Sequence, residues 1–159
     1  MTDNYIQLKK DDLLRIKIID ADGNDTGNVL TFDIMDVELQ LRLQECYRLH
    51  KKNFDNIKNR LLIISKKEDH KGKQPLSKNE EEEALAIKEF YDKEIEALDL
   101  FLGEGGTRKM LNGRSFNLYT FDEILDELKP ITNLMANQKE LITKKIKEKY
   151  SISEEEVLK

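Results

Sequence analysis

Hydrophobic and polar positions change period along this chain, and each change marks an element. Residues 13–20, LLRIKIID, alternate, with Leu14, Ile16 and Ile18 on one side and Arg15 and Lys17 on the other. Residues 28–34, NVLTFDI, alternate again, setting Val29, Thr31 and Asp33 against Leu30, Phe32 and Ile34. The ADGNDTG between them is dense in residues that tolerate positive φ. Two period-2 runs around such a cluster predict an antiparallel β-hairpin over 12–35. A lone hairpin is marginal in water, so its apolar face needs a partner.

A helical period takes over at Asp36, an expected N-cap for a helix over 36–65. Its stripe is Leu39, Leu43, Tyr47, His50, Phe54, Ile57, Leu61 and Ile64. Polar residues 66–78, which hold one of the two prolines, read as an exposed, flexible loop. A second helix is expected over 79–103, capped by Asn79, with Glu80 to Glu83 complementing the positive end of its dipole. Its expected stripe is Ala84, Ile87, Tyr91, Ile95, Leu98 and Phe101 or Leu102, ending at Gly103.

Gly105 and Gly106 impose a turn, a short helical piece follows around Arg108 to Leu111, and Asn112-Gly113 turns the chain again. A third helix over 120–150 carries Phe121, Ile124, Leu128, Ile131, Met135, Gln138, Ile142 and Ile146. Pro130 inside this pattern predicts a kink or break between Leu128 and Pro130. Residues 151–159 read as a frayed tail. The fold expected is mainly α (α+β), a single domain over 1–150. In it an N-terminal β-hairpin packs on a bundle of about three long helices plus short helical turns.

Composition narrows the function. The chain has 159 residues, 37% of them charged against roughly 25% in an average domain. Its net charge of −5 weighs against nucleic acid as a general partner. Cys46 is the only cysteine, so neither an internal disulfide nor a zinc site built on thiolates alone is available. Only His50 and His70 offer imidazoles. No apolar run approaches the roughly 20 residues needed to span a bilayer, and MTDNYIQLKK has no signal-peptide core. A soluble, intracellular-type chain is expected.

Three clusters invite chemistry and each has a plainer explanation. Asp20, Asp22 and Asn24 resemble the start of a calcium loop, but Asp25 and Thr31 stand where an EF-hand needs Gly and Glu. A hairpin turn accounts for the same residues. Gly103 to Lys109, GEGGTRK, satisfies neither phosphate-binding glycine pattern and follows a helix, where glycines terminate. Cys46 and His50 share a helix face at i, i+4, a spacing suited to a metal or an activated thiol. With no further ligand nearby they read as packed core. Carboxylates abound, yet none stands out in an apolar context, so no catalytic, cofactor or metal residues are assigned.

Residues 139–149, KELITKKIKEK, hold five Lys and two Glu. A solvated helix face is the first reading, a partner contact the second and nucleic acid a distant third. A helix of about 30 residues also spans some 45 Å, longer than so small a body, leaving part of its stripe for a partner.

Residues 96–131, EALDLFLGEGGTRKMLNGRSFNLYTFDEILDELKPI, resemble the central region of phage tail assembly chaperones, proteins of long-tailed phages and prophages, many in Gram-positive hosts. The resemblance rests on Leu98, Phe101, Gly103, Gly105, Thr107, Met110-Leu111, Gly113-Arg114, Phe121, Leu125, Leu128 and Pro130. Gly106 departs from it, lengthening Gly-x-Gly-Thr by one residue.

The resemblance implies a non-enzymatic chaperone that binds and solubilises the tape-measure protein in the host cytoplasm and helps recruit tail-tube subunits. Such a protein is absent from the mature virion and self-associates, in a spiral or ring-like arrangement. It needs no cofactor and no membrane, and nucleic acid is not expected among its partners.

The candidate partner or self-association surface comprises Phe54, Ile57, Leu61, Leu98, Phe101, Arg108, Arg114, Phe121, Lys144 and Lys145. Gly103, Gly105, Gly106 and Gly113 are turn residues. Alternative functions are a tail or head–tail joining protein retained in the virion, or a nucleic-acid-binding regulator.

Overall fold

The computed structural model describes residues 3–8 and 12–150; the expected tail lies outside the described residues. Strand β1 (Leu13–Ile19) pairs antiparallel with β2 (Asp25–Asp33), Leu14 opposite Phe32 and Ile16 opposite Leu30. Period-2 alternation turns Ile18, Leu30 and Phe32 into the core and leaves Arg15 and Lys17 outside. The register slips between Lys17 and Ile19, where the Thr26 hydroxyl donates to the Ile18 carbonyl at 2.7 Å. β2 starts earlier than position 28. The Asp20 carboxylate accepts from the Asp22 and Asn24 amides, both at 2.9 Å, and so completes the reversal by Asn24. The calcium-like residues are turn chemistry.

Helix α1 (Val37–Ser65) is capped as expected by Asp36, whose carboxylate accepts from the Glu38 amide. Helix α2 (Lys78–Leu102) returns alongside it. Its cap is Ser77 rather than Asn79. The Ser77 hydroxyl accepts from the Glu80 amide while the Glu80 carboxylate accepts from the Ser77 amide, a reciprocal pair that fixes the first turn. Asn79 lies buried within the helix, donating to the carbonyls of Ile64 and Lys67 at the end of α1. It fastens the two helices instead of starting one. Residues 66–76 are exposed. In their midst the Asp69 carboxylate is held below the usual carboxylate range by the Asn79 amide first, then by the Ser77 side chain and the His70 amide.

Three shorter helices complete the chain: α3 (Gly106–Leu111), α4 (Thr120–Glu127) and α5 (Lys129–Lys149). The helix expected over 120–150 is therefore two, divided at Leu128 with Pro130 in the first turn of α5. The inner face of the hairpin packs with Leu39, Cys46, Leu98 and Phe101 of α1 and α2, Phe121 and Ile124 of α4, and Met135 of α5. The rings of Phe32 and Phe101 lie 5.3 Å apart. A smaller cluster, Ile57, Ile64, Ala86 and Phe90, holds the far end of the α1–α2 pair. The architecture is a mainly α fold with an N-terminal β-hairpin.

Gly103, Gly105 and Gly113 adopt positive φ, as turn residues should. Gly106 has a different task. It opens α3 against α2, and a Cβ placed there would stand 2.5 Å from the Leu102 Cβ. Leu102 is itself buried, so the clash cannot relax cheaply. Gly106→Ala is expected to cost about 1–3 kcal/mol by overpacking. Thermal unfolding should show the midpoint falling by roughly 3–10 °C; an unchanged midpoint would mean that α3 does not press on α2.

Candidate functional site

The polar centre of the molecule lies between α1 and α2. α2 buries Ala86, Phe90, Glu94, Ala97, Leu98 and Phe101 against its neighbours, a line one residue out of phase with much of the expected stripe. Ala84 is exposed, and Ile87, Tyr91 and Ile95 are only half-buried on its flank. A similar shift occurs on α1, where Cys46 and Asn53 occupy the buried line and Tyr47 and Phe54 sit beside it. Hydropathy favours Ile, Tyr and Phe for the stripe. Geometry places the smaller and more polar residues where the two helices come closest.

Glu94 is the consequence. Its side chain is 1% exposed. One carboxylate oxygen lies 2.5 Å from His50 Nδ1, and the other accepts from Asn53 Nδ2 at 3.0 Å. All three residues occupy the line along which the helices touch, His50 and Asn53 on α1 and Glu94 on α2. The His50 ring stacks face to face on Phe121, 3.8 Å between centroids and 9° from parallel, so the same network carries α4. The expectation that no carboxylate lies in an apolar setting is corrected here. Glu94 was legible only as the residue four positions from both Phe90 and Leu98.

Cys46, one turn before His50, is buried, and its thiol is pushed up from 9.0 to about 12 by burial and then by the charge of Glu94. A thiol so held is neither a nucleophile nor a ready metal ligand. Among the described residues no group of three or more His, Cys, Asp or Glu could hold a metal ion. The arrangement is a satisfied buried network, closed on itself.

A second carboxylate organises the glycine turn. Asp99 accepts from the Thr107 amide at 2.9 Å, the Thr107 hydroxyl at 2.7 Å and the Gly105 amide at 3.3 Å. The amides that would cradle a phosphate are spent on a carboxylate, whose charge also opposes an anion. Arg108 and Arg114 are exposed nearby, outside this network.

The candidate partner surface divides sharply. Leu98, Phe101 and Phe121 are buried in the main core, where the hairpin and α4 close over the stripes, and Ile57 is buried in the smaller cluster between α1 and α2. They are corrected to structural residues. Leu61 is half-buried and Phe54 lies edge-on to Phe90 and to His50. Arg108, Arg114, Lys144 and Lys145 are exposed.

Exposed apolar residues outside that expected surface include Leu62, Ile63 and Leu85 at the far end of the helix pair, and Leu134, Leu141 and Ile146 on α5. From Ala136 to Tyr150 only Gln138 and Ile142 are even half-buried. α5 is tied to α1 by the Gln40 amide, which donates to the Met135 carbonyl at 2.8 Å, and beyond that point its stripe runs on uncovered. Among the described residues no helix is long and apolar enough to cross a membrane.

No protein-family model, curated protein or solved structure matches the chain.

The Cys46 thiol should therefore resist modification in the native protein. Because its folded pKa is raised, its contribution to stability is complete below pH 9 and is lost as pH rises toward about 12. A colorimetric thiol reagent at pH 8 should label the native chain far more slowly than the chain in denaturant. Rapid native labelling would contradict the buried geometry.

Proposed function

We propose that this chain is a non-enzymatic phage tail assembly chaperone, binding and solubilising the tape-measure protein and helping to recruit tail-tube subunits. The observation that carries the reading is α5 beyond Met135, a basic amphipathic helix on which Leu141 and Ile146 are exposed and Ile142 is only half-buried. Such a helix lays its apolar side on another helix, and its lysines, among them Lys144 and Lys145, select an acidic neighbour. Leu62, Ile63 and Leu85 offer a second apolar surface at the far end of α1 and α2.

The sequence resemblance supports the reading in a particular way. Leu98, Phe101, Thr107, Phe121 and Leu128 are among its residues, and all are core here. The shared pattern thus speaks for a shared scaffold, with recognition carried by the helices that project from it. Release during assembly requires weak contacts per copy, and many copies along one long helical target supply the strength. Self-association in a spiral or ring would set them in array. The site of action is the host cytoplasm, with the protein leaving before the virion matures.

Co-expression with a tape-measure protein from the same genome, followed by affinity capture and light scattering, tests this directly. Several copies of the chain should hold one otherwise insoluble partner in solution, and Ile142→Asp with Ile146→Asp should abolish the capture while the chain stays folded. A partner that remains insoluble, or virions in which mass spectrometry finds this protein retained, would contradict the proposal.

A further inference from the structure

A cleft of about 730 Å³ lies between the hairpin and the three C-terminal helices. Every residue from Ile16 to Asp22 lines it, whereas β2 contributes only Leu30. Side chains of a strand alternate between faces, so a wall made of consecutive residues is the edge of a strand. Among the described residues β1 pairs with β2 alone, which leaves this edge of Ile16 to Ile19 open. The floor opposite is apolar, made of Ile124, Leu128 and Ile131. An open strand edge over an apolar floor is the geometry that accepts one more strand.

Residues 3–8 lie outside every helix and strand and are exposed throughout. Tyr5, Ile6 and Leu8 are 81, 96 and 91% exposed, an unusual state for three large apolar residues so close together. In a strand Ile6 and Leu8 face the same side, suiting the floor, while Tyr5 faces the other. Six extended residues span about 20 Å, close to the reach of the cleft's strand wall. Lys9 and Lys10 follow directly in the sequence. At the rim of the cleft Asp20, Asp22, Glu123 and Glu127 outnumber Lys17 and Arg114. The segment of the same molecule fits poorly. An antiparallel return that set residue 8 against 13 would set 3 against 18, leaving the wall from Ile19 to Asp22 uncovered.

We propose that residues 3–8 of a second copy of this chain add as a strand along the open edge of β1, with Ile6 and Leu8 seated on Ile124, Leu128 and Ile131. This exchange rests on the chaperone reading and deepens it by naming the contact through which copies would array; partner capture by a chain that stays monomeric would overturn the exchange and leave the capture standing.

The test uses the full-length chain. Sedimentation velocity should show concentration-dependent association of the natural sequence. Association should weaken by about tenfold or more in Ile6→Asp/Leu8→Asp, and likewise in Ile19→Asp, because exposed positions change without loss of core. Mixing a Tyr5→Cys chain with an Ile19→Cys chain, both positions facing away from the floor, should give a disulfide-linked heterodimer under mild oxidation, Cys46 being buried and out of reach. A link that forms only when both cysteines are on one chain would assign the cleft to the molecule's own segment and overturn the proposal. So would association that ignores the aspartates, or a chain that stays monomeric.

Discussion

The carboxylate of Glu94 is the constraint around which this molecule is arranged. A group of that polarity is costly to bury unless its oxygens are satisfied, and here both are, by His50 and Asn53 from the facing helix. The requirement fixes register. Sliding α2 by one turn along α1 would carry Glu94 toward Ile57 or Cys46 and break at least one of its two bonds. An apolar stripe alone would tolerate such a slip, since Leu, Ile and Phe exchange places at modest cost. The stack of His50 on Phe121 passes the constraint to α4, and with it to the break at Leu128 and the direction of α5.

Asp99 repeats the device at the end of α2. Its bonds to Gly105 and Thr107 hold the turn into α3, so α2 carries two carboxylates that serve the interior and many that face water. Between them they position the hairpin's support. Leu98, Phe101 and Leu102 lie between or beside these two anchors and form much of the surface on which Leu30 and Phe32 rest. The glycine-rich segment that resembles a binding loop is thereby a structural joint.

The fold was legible where one periodicity dominated. Alternation gave the hairpin, Asp36 the start of α1, and Pro130 the break between the last helices. The candidate site was less legible. On α2 the strongest apolar residues, Ile87, Tyr91 and Ile95, lie on the flank, and the buried line runs through Ala86, Phe90 and Glu94. Hydropathy cannot find a line containing a carboxylate, because the energy that permits its burial comes from His50 and Asn53, over 40 residues away. Asn79 shows the same difficulty. Its sequence context reads as a cap, and its tertiary role is to bind the end of α1. Long-range hydrogen bonding decides both positions, and a local reading has no access to it.

Projecting helices follow from the same arrangement. Once the core closes over Phe101 and Phe121, the apolar side chains that stay exposed on these helices include Leu62, Ile63 and Leu85 at the far end of α1 and α2, and Leu141 and Ile146 on α5. A double-mutant cycle on His50 and Glu94 tests the premise most directly, with His50→Ala, Glu94→Ala and the double variant unfolded in urea. Coupling of about 1–3 kcal/mol between the two positions is expected if the network is one unit. Effects that add within about 0.5 kcal/mol would show that the pair does not organise the fold.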